Sequence, residues 1–318
     1  MLLGLVTLGA IVLFLWSQRG DLGRLVEIRG LEVFVVAALF AFGHWLNSLE
    51  MWWLYRRLGA ELGATENWLL FTAGQLLNHL PGRVGTLYRF EYLRKRQALA
   101  YVGSASVYAT NLVITALASS TLGALGVLLT LPSVKGEPLP LLAVFGVVLA
   151  AAIVALVVPL PTARGEGVVA RTWATFRSGW CEITSAPKTA LGVGALDGLR
   201  YVVAAWRMQI AFSWVGVDGS WSFFLVLSAV TGVASFLAIT PAALGVRELA
   251  IGAAATALGT PFERSLLGAT LERSVLVLVS AITGGAGILF TSRQLGALVS
   301  DERRDPAAAP ARHPPPET

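Results

Sequence analysis

Three groups of ionisable residues lie in stretches that are otherwise apolar. Arg247 and Glu248 follow a PAALG turn at 241–245, and Glu272 and Arg273 sit in the apolar run 265–291. Asp197, Arg200 and Arg207 lie in the apolar run 189–214. An ionisable side chain at mid-bilayer costs about 2.5–3.5 kcal/mol on insertion scales, so it turns toward protein or water. Arg200 is three residues after Asp197 and can pair with it along one helix face. Arg207 is two turns further on that face, about 10 Å away. The bland reading is that these acids and bases neutralise one another and hold helices together. The functional reading is an arginine-lined cavity for a phosphate, because guanidinium matches phosphate bidentately and stays charged when buried.

Arg89 joins this set through a second turn. Residues 81–85 read PGRVG, as 241–245 read PAALG, and each turn follows an apolar run and precedes an arginine. Proline removes a helical hydrogen bond and glycine lets the chain turn. In lipid, backbone groups freed in this way need protein or a wet cavity. Pro81, Gly82 and Gly85 in the first half, and Pro241 and Gly245 in the second, are therefore expected to break helices and line a pathway. A helix starting after each break would aim free N–H groups and a positive dipole end at the same anion. Asn78 and His79 precede the first break, where a helix end accounts for both. The predicted headgroup-binding set is Arg89, Arg200, Arg207, Arg247, Glu248, Glu272 and Arg273.

The elements that must position these residues are membrane helices. The chain is 55% hydrophobic and 14% charged, against about 25% charged in soluble domains. Mean hydropathy is +0.69. Apolar stretches of about 20 residues span a bilayer. Such stretches fall at 1–16, 32–54, 101–130, 139–160, 189–214, 220–240 and 265–291. The start, MLLGLVTLGAIVLFLW, has no basic residue before its apolar run, so it reads as a retained span and not a cleaved signal. Two shorter apolar pieces, 67–80 and 246–258, flank the breaks and suit re-entrant helices. The expected architecture is an all-α polytopic membrane protein of about seven full spans plus two re-entrant helices, arranged as a degenerate inverted repeat.

Basic residues orient this arrangement. Arg56 and Arg57, the cluster from Arg83 to Arg96, the loop 162–187 with Lys188, and Arg293, Arg303 and Arg304 all fall on one side, read as cytoplasmic. The poorly charged loops 131–138 and 215–219 fall outside. The first broken segment then opens from the cytoplasmic face and 220–258 forms a hairpin from the outer one. Within 162–187, Trp173, Phe176 and Trp180 share a helical face among arginines, which fits an interfacial helix. The membrane domain is expected to cover 1–295. Residues 296–318, rich in proline and alanine, read as a disordered cytoplasmic tail.

Several chemistries find no support. His44, His79 and His313 are scattered and Cys181 is the single cysteine, so no metal-ligand spacing and no intrachain disulfide is present. The glycine-rich runs GAAATALG and TGGAG lack the strand and GxxxxGK[ST] context of a nucleotide loop and read as close helix packing. No catalytic triad spacing stands out, and no cofactor is implied. The net charge of +5 carries no aromatic-interleaved stripe, so nucleic acid is not an expected partner.

The stretch LLNHLPGRVGTLYRFEYLRKR resembles the first motif of the lysylphosphatidylglycerol synthase transmembrane family, the flippase-like or uncharacterised 0104 family. FLAITPAALGVRELAIGAAATALG resembles its second motif, and LERSVLVLVSAITGGAGIL its last span. The resemblance covers residues 1–295. It implies a membrane domain associated with moving aminoacylated phospholipids or polyprenyl-linked glycolipids between leaflets. By position, Pro81, Gly85, Arg89, Pro241, Gly245, Arg247, Glu248 and Arg273 match. Synthase-type members continue into a cytosolic aminoacyl-transferase domain, and aminoacyl transfer is not expected of this chain. The turn PAALG has fewer glycines than is common in the family. The expectation is a non-enzymatic protein that binds an anionic phospholipid or lipid-linked sugar at the cell membrane. The alternative is a non-catalytic subunit or scaffold working with a partner enzyme in a separate chain.

Overall fold

The computed structural model describes residues 29–80, 82–133, 136–162, 165, 167–236 and 245–304. Within them the regular structure is helical: α1 (Gly30–Arg57), α2 (Ala64–Leu77), α3 (Val84–Gln97), α4 (Tyr101–Thr130), α5 (Leu139–Val157), α6 (Val168–Thr184), α7 (Pro187–Ser213), α8 (Trp221–Phe236), α9 (Val246–Ala257) and α10 (Phe262–Arg304). The protein is an all-α polytopic membrane protein. Helices α1, α4 and α5, and Phe262–Ala297 within α10, are long and apolar enough to cross a bilayer. Helix α7 has 27 residues, about 40 Å of rise, and is also long enough. Its hydropathy is lowered by Lys188 at its start and by Asp197, Arg200 and Arg207 along its length.

Contacts between helix ends sort the bundle into two poles. At one, Arg57 Nε donates to Thr189 Oγ1 (3.0 Å), Tyr92 OH to Glu66 Oε1 (2.6 Å), and the Glu61 N–H to Gln97 Oε1 (2.8 Å). This pole gathers the end of α1, the start of α2, the end of α3 and the starts of α4 and α7. It is basic: Arg94 and Lys95 pair with Glu91 at 3.0 and 3.1 Å, and Arg96 with Glu66 at 3.5 Å. At the other pole Trp214 Nε1 donates to Glu32 Oε2 (2.9 Å) and Thr130 Oγ1 to Ser222 Oγ (2.9 Å). There too, a β-carbon on Gly136 would collide with the Ala257 carbonyl oxygen.

These contacts make two hairpins. Helices α2 and α3 begin and end at the basic pole, and their turn lies away from it. Helix α8 begins and α9 ends at the opposite pole. The hairpins thus open toward opposite ends. Helix α8 accounts for Trp221–Phe236 of the apolar stretch expected at 220–240, and residues 237–240 lie outside the described residues. The span expected at 1–16 lies outside the described residues.

The apolar core divides accordingly. One cluster, with Phe212, Phe224, Leu227 and Ile251, packs toward the pole opposite the basic one. Another, with Leu54, Tyr55, Tyr92 and Ile183, packs near the basic pole. Helix α5 is apolar throughout and leaves most of its surface open, with Val147, Val154 and Val157 exposed, as a lipid-facing helix does. The interfacial reading of 162–187 corresponds to α6, where Trp173, Phe176 and Trp180 stack in sequence at 5.6 and 6.5 Å between centroids. The last helix runs to Arg304, past the boundary expected at 295; the rest of the expected tail lies outside the described residues.

Candidate functional site

The first break does its work through glycine twice, for two reasons. Gly82 has φ +86° and Arg83 φ +54°, so the chain reverses through two left-handed residues. Gly85, expected to be part of the break, is instead in the first turn of α3. A β-carbon there would collide with the Gly74 carbonyl oxygen of α2. Gly85 is therefore a contact residue that lets the two arms touch. One β-carbon on Gly74 would in turn lie 2.5 Å from Arg89 Cδ, so the same close approach sets where Arg89 can lie. Asn78 Oδ1 accepts from the Thr86 N–H at 3.1 Å and closes the turn. Glycines Gly284 and Gly287 of α10 meet the backbone of α2. The run TGGAG is thus helix packing, as expected.

The second break begins α9 at Gly245, φ +83°. Glu248 folds back so that its Oε2 accepts from the Gly245 N–H at 2.8 Å, one arm of a capping box. Pro81 and Pro241 lie outside the described residues.

Between the breaks is a cavity of about 510 Å³. Six arginines line it: Arg83, Arg89, Arg200, Arg207, Arg247 and Arg273. No carboxylate does, among the described residues. Arg89, Arg207, Arg247 and Arg273 are each less than a tenth exposed, Arg200 is half-buried, and Arg83 is exposed at the mouth.

The acids stand behind the arginines. Glu272, fully buried, takes Arg207 on Oε1 and Arg247 on Oε2, each at 2.7 Å. Glu248 Oε1 lies 3.7 Å from Arg247 and 4.0 Å from Arg273. Arg200 pairs with Asp197, Nε to Oδ1 2.8 Å, and approaches Glu50 Oε1 at 3.7 Å. The expected pairing within Asp197/Arg200 is present. Glu272 and Arg273 do not pair with each other, because adjacent residues on a helix point about 100° apart. Glu248 and Glu272, expected to touch the headgroup, are absent from the lining. Among the described residues Arg89 is held without an acid: its Nη2 donates to Tyr55 OH at 3.3 Å and its guanidinium lies 5.2 Å from the Phe71 ring centroid. Arg207 stacks on Phe40 at 3.5 Å.

The arrangement therefore presents guanidinium groups to a polar space and keeps their counter-charges at their backs. Sequence reasoning missed Glu50, Arg83, His44 and Asn111 at or beside this site. Glu50 and His44 lie within the span 32–54, where an ionisable residue was itself the signal.

Residues 1–284 match the family described as lysylphosphatidylglycerol synthase TM region. The chain belongs to that family. It is a membrane-embedded protein linked to lipid handling, and three of the motif residues, Arg89, Arg247 and Arg273, line one cavity. No curated protein matches the chain.

Proposed function

We propose that this family member binds the anionic head of a lipid in the arginine cavity and passes it between leaflets. The observation that carries the reading is the segregation of charge: six guanidinium groups on the cavity wall and the paired acids behind them. A lone buried ion pair only holds helices together and gives little stability. Arginines turned toward a space are placed for an anion, and their forks fit phosphate oxygens. The two hairpins opening from opposite ends suit alternating exposure of one central site, as in inverted-repeat transporters. The basic pole is taken as cytoplasmic, with the C-terminus there, by the positive-inside rule. The mechanism uses binding and gating and no covalent step, so the protein is not read as an enzyme.

Two measurements test this. Native mass spectrometry of the purified chain should show an anionic phospholipid retained in preference to phosphatidylcholine. Reconstituted vesicles should move a labelled anionic lipid faster than protein-free ones. Binding with no movement would favour a scaffold or a subunit serving a separate enzyme, and no anionic preference would remove the site.

A further inference from the structure

The cavity uses arginines and leaves two buried acids over. Glu50 of α1 and Asp197 of α7 are fully buried, and neither lines the cavity. They have one cation between them. Arg200 donates through both Nε and Nη2 to Asp197 Oδ1, and its Nε lies 3.7 Å from Glu50 Oε1, beyond hydrogen-bond reach. Both oxygens of Glu50, and Oδ2 of Asp197, have no hydrogen-bond partner among the described residues.

Glu272 is the contrast. It is buried as deeply, yet each of its oxygens takes an arginine at 2.7 Å. A buried carboxylate held in that way keeps its charge. One with no donor at either oxygen is relieved by a proton, which removes the charge and turns the acid into a donor. The charged groups acting on Glu50 are Asp197 and Arg200, both from α7. Helices α2, α4, α6 and α10, which also pack on α1, add none among the described residues. His44, on α1 itself, faces Arg200, Arg207 and His79. Tyr201 lies under the Arg200 guanidinium at 4.6 Å. The local count is two acids to one base.

Arg200 also belongs to the cavity wall. Its side chain is 22% exposed, against 10% for Arg207 and 9% for Arg247, so it is the freest of the three to turn toward a ligand. An anion in the cavity and the two acids thus compete for one guanidinium. Whatever Arg200 gives to the anion it takes from the acids, and a proton must replace it.

Resting on the reading of the cavity as a lipid-phosphate site, we propose that Glu50 and Asp197 form a proton site linked to the cavity through Arg200, and that one proton travels with each anionic headgroup. With the cavity free, Glu50 holds a proton and Asp197 holds the arginine. When a phosphate draws Arg200, Asp197 takes a second proton from the water to which the cavity is open. One O–H bond of hydronium breaks and one forms on Oδ2. Release of the anion returns Arg200 to Asp197 and frees that proton on the side of release. A phosphodiester carries one negative charge, so the two cross together without net charge.

The experiment uses the full chain in phosphatidylcholine vesicles with a trace of tail-labelled phosphatidylglycerol, a singly charged probe. Its leaflet distribution is read by quenching from outside, with the membrane potential clamped at zero and protein-free vesicles as background. A gradient of about one pH unit should gather the probe in the leaflet on the alkaline side to about a tenfold excess, the ratio that one proton per anion sets. Glu50→Gln with Asp197→Asn fixes amides in place of the protonated acids. That variant should still exchange the probe and should spread it evenly under the same gradient. Infrared spectroscopy reads the site without any transport: a carboxylic-acid C=O band at neutral pH, lost in Glu50→Gln, marks the resting proton. If the double variant fails to fold, the asymmetry of the unaltered chain and this band carry the test. Exchange that stays even under the gradient would overturn the coupling and leave lipid transport standing. Asymmetry that persists in the double variant would overturn the assignment to Glu50 and Asp197. No exchange under any gradient would overturn the transport reading and the coupling with it; an acid band unchanged in Glu50→Gln would overturn the proton site itself.

Discussion

Arg207 of α7 and Arg247 of α9 hold one carboxylate between them, Glu272 of α10, each on its own oxygen at 2.7 Å. Three helices meet at that one side chain, and one of them starts at the second break. The bridge ties α9 to α7 and α10. Both arginines still line the cavity, so a ligand that drew them away from Glu272 would loosen the hairpin as it bound.

The first prediction follows from that bridge. Glu272→Leu alone leaves two buried guanidinium groups without their acid, and breaking a buried pair in this way costs about 3–5 kcal/mol. A large fall in thermal stability in detergent is expected. Replacing Arg207, Glu272 and Arg247 together by Met, Leu and Met removes the bridge with both its partners and leaves Glu248 to Arg273, so most of the lost stability should return. Headgroup binding should not return. Recovery of binding in the triple variant would show that the bridge serves packing alone.

Part of this was readable in the chain. Helix positions follow from the length of each apolar run, since a bilayer fixes how many residues must be apolar. The breaks follow from proline and glycine, as Gly82 and Gly245 show with φ of +86° and +83°. Partner choice was not readable. Glu272 neighbours Arg273 in sequence and pairs with residues 25 and 65 positions away, because helix packing decides which faces meet. Gly85 looked like part of a turn, yet its role is to let α3 touch Gly74 of α2, a contact that no local pattern records. Glu50 went unnoticed because a single acid barely alters the hydropathy of a span of 28 residues.

The two glycines of the first break should behave differently. Gly82→Ala places a β-carbon at φ +86° with nothing nearby to strike, so the cost is backbone strain of about 1–2 kcal/mol. Gly85→Ala collides with the Gly74 backbone and must push α2 and α3 apart. Stability should fall further in Gly85→Ala, and Arg89 should lose its place, so headgroup binding falls too. Thermal unfolding and lipid affinity measured on both variants check this. Equal effects would mean the arms are free to separate.

Gly245→Leu tests the second break. The residue sits at φ +83° and its N–H is held by Glu248. A leucine there is strained, and it disturbs the start of α9 just where Arg247 leaves the chain. Expression and membrane insertion should stay near normal, while lipid movement in vesicles should be lost. An unaltered rate would place the moving part elsewhere.

Orientation can be read with a single probe, because Cys181 is the only cysteine and is exposed. In a Cys181→Ser background, a cysteine at Arg94 or Arg171 should resist an impermeant thiol reagent added to intact cells, since the basic pole is taken to face the cytoplasm. A cysteine at Asp218, in the loop at the opposite pole, should react. Labelling at both Arg94 and Arg171 from outside would invert the whole arrangement.

Arg89 gives the sharpest test of binding against structure. Unlike Arg207 and Arg247 it has no carboxylate holding it among the described residues; Tyr55 OH and the Phe71 ring keep it in place. Arg89→Lys keeps the charge and loses the planar fork, so a phosphate would be gripped by one point charge instead of two parallel bonds. The loss expected for a charged hydrogen bond is about 1.5–3 kcal/mol, or roughly 10- to 150-fold in affinity. Stability should change little, because no buried acid is stranded by the substitution. The same Arg→Lys change at Arg247 should lower both quantities, since there the guanidinium also bridges to Glu272. Native mass spectrometry and thermal unfolding on the two variants separate these outcomes. If Arg89→Lys binds the anionic lipid as well as the unaltered chain does, Arg89 does not touch the phosphate, and the buried part of the site narrows to the four arginines of α7, α9 and α10.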